Sequence, residues 1–169
     1  MGNFYKGKFK PKNPQKYVGD ISKITYRSSW ELSVMKYLDE HPSIIKYNSE
    51  GMIIPYVSPV DKKVHRYYVD FMIEYKTKDG DIRKALIEVK PYAQTNPPAK
   101  PKRQTKRYVE DVLTFHINTS KWKSAMEFCR KNDMDFIVLT EKGPINYKWP
   151  HEVGKEILLE CPSVNSSQK

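Results

Sequence analysis

Cysteine is scarce in this sequence, and long apolar runs are missing. The 169 residues contain two cysteines, Cys129 and Cys161, whose wide separation predicts neither a disulfide framework nor a cysteine metal site. The four histidines show no metal-ligand spacing, which argues against a zinc centre. No stretch is apolar enough to cross a bilayer, and residues 1–6 lack the apolar run of a signal peptide. We therefore expect a soluble, intracellular protein without a membrane partner.

Positive charge is present in excess. Thirty Lys and Arg residues against 20 Asp and Glu residues give a formal net charge of +10. The charge is clustered: residues 1–23 are rich in lysine with Gly and Pro breaks, and residues 93–107 are rich in Pro, Lys and Arg with no acid between them. Clustered positive charge favours a polyanionic partner such as nucleic acid over a protein that is merely kept soluble.

The second cluster predicts a loop whose cations follow a phosphate backbone, although a simply solvated loop has the same composition. Other cations flank predicted helix starts, where they can also contact phosphates. The candidate DNA-binding residues are Arg27, Lys100, Lys102, Arg103, Lys106, Arg107, Lys121 and Lys123.

Two helices are predicted from caps and apolar spacing. Ser28 and Glu31 form a capping box that begins the first helix, and His41 with the following proline ends it. A second helix follows Thr119, with an apolar stripe at i, i+3, i+4 and i+7. Residues 109–116 fit either a strand or a short helix, and their periodicity does not decide between them.

The strands are predicted from alternation and turn signals. Residues 53–57 predict a bent or edge strand because Pro55 interrupts them. Residues 65–75 and 82–90 predict a hairpin around a glycine turn, and residues 136–140 predict a buried strand. The order of elements indicates an α/β sheet covered on its faces by helices.

The length fits one domain. We expect residues 1–23 to form a basic flexible arm, residues 24–160 to form the single domain, and residues 161–169 to form a disordered tail.

The hairpin carries the candidate catalytic residues. Alternation places Glu88 and Lys90 on one face of their strand, about 7 Å apart, and a suitable register brings Asp70 beside them. Both carboxylates lie in apolar runs, where each needs a cation or a proton. Mg²⁺ takes oxygen ligands and can activate a water for attack on a phosphodiester. A plain cross-strand salt bridge is the alternative.

Glu31 is a further candidate. The capping box alone explains a glutamate at this position. However, Glu31 also heads the apolar stripe of its helix, with Val34, Met35 and Leu38 following at helical spacing. A carboxylate there can face the same metal site from the end of the helix.

This set of motifs resembles the PD-(D/E)XK nuclease superfamily, which has Glu on an early helix, Asp on one strand and Glu-x-Lys on the next. The stretches that carry the resemblance are YRSSWEL at 26–32, RYYVDF at 66–71, LIEVKP at 86–91 and Lys121-Trp122. They look like the transposase-A type of endonuclease and, over most of the chain, like the head completion nucleases of T-even-type tailed phages. One departure is Val69, where many members have proline before the aspartate.

The resemblance implies a restriction-endonuclease-like core with a mixed β-sheet flanked by helices. It implies that Asp70 and Glu88 ligate Mg²⁺, with Mn²⁺ able to substitute, that Glu31 completes the metal site, and that Lys90 assists the nucleophile. It also implies double-stranded DNA as partner, trimming of packaged DNA before heads join tails, contact with head or portal proteins, and a location in the host cytoplasm. No small-molecule cofactor is expected. The rival interpretation is a non-catalytic DNA-end-binding or structural virion component that keeps the fold.

Overall fold

The computed structural model describes residues 6–146, so the predicted tail and the last residues of the predicted domain, 147–160, lie outside it. The elements, in chain order, are β1 (Gly7–Lys8), β2 (Thr25–Tyr26), α1 (Ser29–Glu40), β3 (Ile44–Val57), β4 (Val64–Lys76), β5 (Ile82–Val89), α2 (Lys106–Lys131), β6 (Asp135–Thr140) and β7 (Gly143–Asn146). Short 3-10 helices lie at Pro14–Lys16, Ile21–Lys23 and Tyr92–Thr95. No helix among these residues is long and apolar enough to cross a membrane.

The central sheet is five-stranded and mixed. Its strand order is β3-β4-β5-β6-β7, and only the β5–β6 pair is parallel. The α2 helix connects these two parallel strands, as a crossover must. Apolar side chains of the sheet form two buried clusters, one with α1 and one with α2, which we call the α1 cluster and the α2 cluster. The predicted α/β architecture, with helices covering the sheet, is confirmed.

The start of α1 follows from its sequence. The Ser28 hydroxyl accepts a hydrogen bond from the Glu31 backbone N–H at 3.1 Å, which satisfies one of the free donors of the first turn. Val34, Met35 and Leu38 are buried in the α1 cluster. His41 is the C-cap, as the sequence predicts.

The predicted hairpin is β4 and β5. Gly80 lies in the turn with φ +94°, a conformation that side chains disfavour. Burial alternates along β4, but its buried side chains belong to two clusters rather than to the single face that alternation predicts. Tyr67 and Val69 pack in the α2 cluster, whereas Phe71, Ile73 and Tyr75 pack in the α1 cluster. The change occurs at Asp70, opposite a register shift in β3.

The second half of the chain decides one open assignment and corrects one prediction. A single helix, α2, covers both the undecided residues 109–116 and the helix that was expected to begin after Thr119. It begins much earlier because the Thr105 hydroxyl accepts a hydrogen bond from the Tyr108 N–H at 3.2 Å. Val109 and Leu113, in its first turns, are largely exposed, so no apolar stripe marks this half. The short strand β7 was not predicted.

The expected flexible arm is corrected for residues 6–23, which we call the N-terminal segment. This segment pairs with β2 through β1, and it buries Phe9 in the α1 cluster. The carboxylate of Asp39, itself buried at the end of α1, accepts hydrogen bonds from the backbone N–H groups of Lys12 at 2.8 Å and Asn13 at 3.2 Å. A buried anion with main-chain donors therefore fixes the segment to the domain.

Candidate active site

The candidate site lies where β4 and β5 separate. Their last residue pair is Phe71 with Ile87, so the continued register places Asp70 opposite Glu88. Instead of a main-chain bond, the Val89 N–H donates to Asp70 Oδ2 at 2.7 Å. The carboxylate of Asp70 is thereby held against the strand that carries Glu88.

Glu88 is almost fully buried and has a partner on each oxygen. The Tyr67 hydroxyl donates to Oε2 at 2.7 Å, and the Lys90 ammonium lies 2.9 Å from Oε1. Charge-assisted bonds of this kind offset the cost of burying a carboxylate. The predicted placement of Glu88 and Lys90 on the same face is confirmed, and the ion pair between them is an additional finding.

The far side of β5 fixes this geometry. Parallel pairing with β6 continues to Val89, and the Lys90 N–H donates to the Leu139 carbonyl at 3.0 Å. The backbone on both sides of Glu88 is therefore hydrogen-bonded, so Glu88 and Lys90 project from a fixed strand.

The site holds an excess of negative charge around Asp70. Burial, and then repulsion by Glu88, raises the pKa of Asp70 to about 8, although Lys90 and the Val89 N–H favour the charged form. Burial of Lys90 lowers its pKa, but attraction by Glu88 and Asp70 outweighs burial, so the pKa of Lys90 lies above its usual value. The ammonium of Lys90 is therefore charged, and Asp70 is the group that a further cation would ionise.

Glu31 lies nearby without joining the two other carboxylates. Its Oε2 accepts the Arg27 backbone N–H at 2.8 Å, so its carboxylate closes the cap at the start of α1. Its charge still raises the pKa of both Asp70 and Lys90. Within residues 6–146 no group of three or more His, Cys, Asp or Glu side chains is arranged to hold a metal. The role that the structure shows for Glu31 is capping, and its role as a third metal ligand stays a prediction.

A cavity of about 550 Å³ opens beside the site. Glu31 and Lys90 both line it, together with Lys6, Arg27 and Trp30. The cavity lies between the N-terminal segment, the start of α1 and the end of β5. It therefore leaves space for a ligand next to Lys90.

The predicted DNA-binding cations are dispersed. Lys100, Lys102 and Arg103 are exposed in the segment before α2. Lys106 and Arg107 are in the first turn of α2 rather than in a loop, where their side chains lie 3.9 Å from Glu110 and 4.0 Å from Asp111. Such exposed pairs are weak, so they leave the cations available to phosphates.

The remaining three cations differ in environment. Arg27 is exposed and forms an ion pair with Glu50 at 2.9 Å. Lys123 is exposed on α2. Lys121 is the exception: it is partly buried, in the middle of α2 rather than at a helix start, and close to the carboxylates.

Sequence reasoning missed Tyr67. Its hydroxyl is the donor that supports Glu88, and its ring packs in the α2 cluster. The available signal was its place among alternating buried residues of β4, because a buried tyrosine usually needs a partner for its hydroxyl.

The donor set suits a hard divalent cation. Among the described residues Asp70 Oδ1 accepts no hydrogen bond, and each oxygen of Glu88 has one partner and a remaining lone pair. Burial and the neighbouring Glu88 raise the pKa of Asp70, and a bound cation would favour the charged form of Asp70. Mg²⁺ commonly uses one or two carboxylates with waters and substrate phosphates, so two protein ligands are sufficient.

Comparison with known proteins places the chain in a nuclease family. Residues 41–141 match the family model described as TnsA-like endonuclease N terminal. The head completion nuclease of Enterobacteria phage T4 is 41% identical over 143 residues, which cover 82% of this chain and 93% of that protein. The residues matched by the family model include Asp70, Glu88 and Lys90, and the match confirms the restriction-endonuclease-like fold. The chain belongs to the TnsA-like endonuclease family.

Proposed function

We propose that this nuclease is a metal-dependent enzyme that hydrolyses phosphodiester bonds in double-stranded DNA. The observation that carries the proposal is the convergence of Asp70, Glu88 and Lys90 where β4 and β5 separate. In this proposal Asp70 and Glu88 hold Mg²⁺, with Mn²⁺ able to substitute, and Glu31 assists from the helix end. Bound there, the metal supplies polarisation of the phosphate and activation of a water.

The protein's own residues orient the reactants. Lys90 uses one of its three N–H donors on Glu88, so its others are available to the attacking water or to a phosphate oxygen. Its positive charge opposes the negative charge that grows on the phosphate during in-line attack. Tyr67 keeps Glu88 in one orientation through its hydroxyl.

The biological setting is also a proposal. The T4 relative is named a head completion nuclease. By analogy we propose that this protein trims packaged phage DNA before heads join tails, in the cytoplasm of the host. Contact with head or portal proteins would follow from that role. The net charge of +10 supports DNA as the substrate.

Cleavage of plasmid and linear DNA with Mg²⁺ and with EDTA tests the activity. We expect cleavage only with the metal, and Asp70→Asn, Glu88→Gln and Lys90→Met should each reduce the rate by about 100-fold or more. Glu74→Gln and Lys84→Met are matched controls, because each lies on the same strand as a site residue but outside the site. Equal cleavage by wild type and Asp70→Asn contradicts the proposal, and DNA binding without any cleavage favours the non-catalytic DNA-end-binding alternative.

A further inference from the structure

A second lysine approaches the site from α2. The Lys121 ammonium lies 5.7 Å from the centroid of the Tyr56 ring and 5.6 Å from that of the Tyr67 ring. Cations at such distances are attracted by the face of an aromatic ring. Because the hydroxyl of Tyr67 donates to Glu88, the same tyrosine contacts both Lys121 and the catalytic carboxylate.

Lys121 differs from Lys90 in having no anionic partner. Among residues 6–146 no carboxylate lies within ion-pair distance of its ammonium, whereas Lys90 is paired with Glu88 at 2.9 Å. Burial lowers the pKa of Lys121, Glu88 and Asp70 raise it, and Lys90 lowers it. The charges that act on it are thus those of the active site. A partly buried cation without a partner is costly unless an anion binds next to it.

We propose that Lys121 binds the scissile phosphate, with its ammonium donating to a non-bridging oxygen. Lys90 stays paired with Glu88 and donates to the attacking water. This inference rests on the proposed nuclease function and adds a second cation to the site. The substrate phosphate is the anion that Lys121 lacks. Three N–H donors on a flexible stem suit a phosphate oxygen whose charge grows during attack.

Two less specific roles give different results. A cation that only follows the DNA backbone contributes to affinity and to its salt dependence, but not to the rate at saturating DNA. A purely structural lysine that holds the two tyrosine rings contributes to the free energy of unfolding. Only a contact with the reacting phosphate reduces kcat while affinity and folding are retained.

The first test compares Lys121→Met and Lys121→Arg with Lys131→Met. Lys131 is an exposed lysine of the same helix, paired with Glu127 at 3.4 Å, so its loss controls for a general loss of charge. We expect Lys121→Met to reduce kcat by about 100-fold, with the Kd for DNA changed by less than about threefold, and Lys121→Arg to recover part of the rate. If kcat falls by less than about tenfold, or if only KM changes, the inference is overturned.

The second test identifies the atom. Sulfur replaces each non-bridging oxygen of a single scissile phosphate in turn, and cleavage is measured in Mg²⁺ and in Mn²⁺. We expect one diastereomer to be cut slowly by the wild type in both metals and to cause no additional slowing in Lys121→Met. Such a result does not follow from a structural role. Identical sulfur effects in wild type and Lys121→Met contradict the contact.

The third test does not depend on activity. Amine labelling of the full chain, read by mass spectrometry in EDTA, compares Lys121 with Lys131 as a DNA oligonucleotide is added. We expect DNA to protect Lys121 and to leave Lys131 unchanged. Unchanged labelling of Lys121 overturns the inference even if the wild type cleaves DNA. Protection of Lys121 in a wild type that never cleaves contradicts the proposed function instead and retains the phosphate contact.

Discussion

The substitution Tyr67→Phe removes the hydroxyl that donates to Glu88 and leaves the other residues of the site unchanged. The lost bond is 2.7 Å long, buried and made to a charged acceptor. Bonds of this type contribute about 1.5–3 kcal/mol, and the oxygen that remains is buried without its donor. We expect the free energy of unfolding without metal to fall by about 2 kcal/mol, measured by urea denaturation at pH 8.

Activity should fall with it. Glu88 then keeps Lys90 on one oxygen but loses the contact that orients the other, so we expect kcat to fall by about tenfold. The matched control is Tyr47→Phe, which removes a hydrogen bond of 3.1 Å to buried Asp39 outside the site. It should destabilise the protein without changing kcat. If Tyr67→Phe costs less than about 0.5 kcal/mol, or lowers kcat no more than Tyr47→Phe, the assigned support of Glu88 is wrong.

Three other predictions follow from the same structure. In the proposed metal site Asp70 must lose its proton before the ion binds, and burial raises the pKa of Asp70 to about 8. The affinity for Mg²⁺ should therefore rise up to about tenfold per pH unit toward pH 8 and then level off, with proton release seen by calorimetry in two buffers. An affinity that is flat from pH 6 to 8 contradicts this. Asp39→Ala should lower the free energy of unfolding by about 3 kcal/mol and make the N-terminal segment accessible to limited proteolysis. A segment that stays protected would show that Asp39 does not hold it on the domain. Combined alanine substitution of Lys100, Lys102 and Arg103 should reduce the slope of log Kd against log salt by about 2–3, and an unchanged slope would remove these residues from the DNA interface.

The hairpin and the convergence of Asp70, Glu88 and Lys90 could be predicted from local signals. Alternation places Glu88 and Lys90 on one face of their strand, and the turn at Gly80 marks the hairpin that brings Asp70 opposite Glu88. The change of cluster at Asp70 in β4 does not follow from alternation. The capping box at Ser28 likewise fixes the start of α1. These features depend on neighbours within a few residues, so the sequence contains the information.

Other features depend on contacts between distant residues. Asp39 was not singled out, because nothing near it shows that the backbone of Lys12 and Asn13 donates to it. The first half of α2 is exposed, so periodicity could not distinguish it from a strand. The proximity of Lys121 to Tyr67 requires the sheet and α2 to be packed first.

The pairing of β5 with β6 links the geometry of the site to the stability of the whole domain. β5 carries Glu88, ends just before Lys90 and pairs with β6 in the interior of the sheet. The Lys90 N–H continues this pairing by donating to the Leu139 carbonyl. The amide protons of β5 are thus expected to exchange with solvent only when the whole domain opens. Local opening at the surface would then change contacts with a bound substrate but not the spacing of Glu88 and Lys90. Loss of that spacing would coincide with unfolding of the domain.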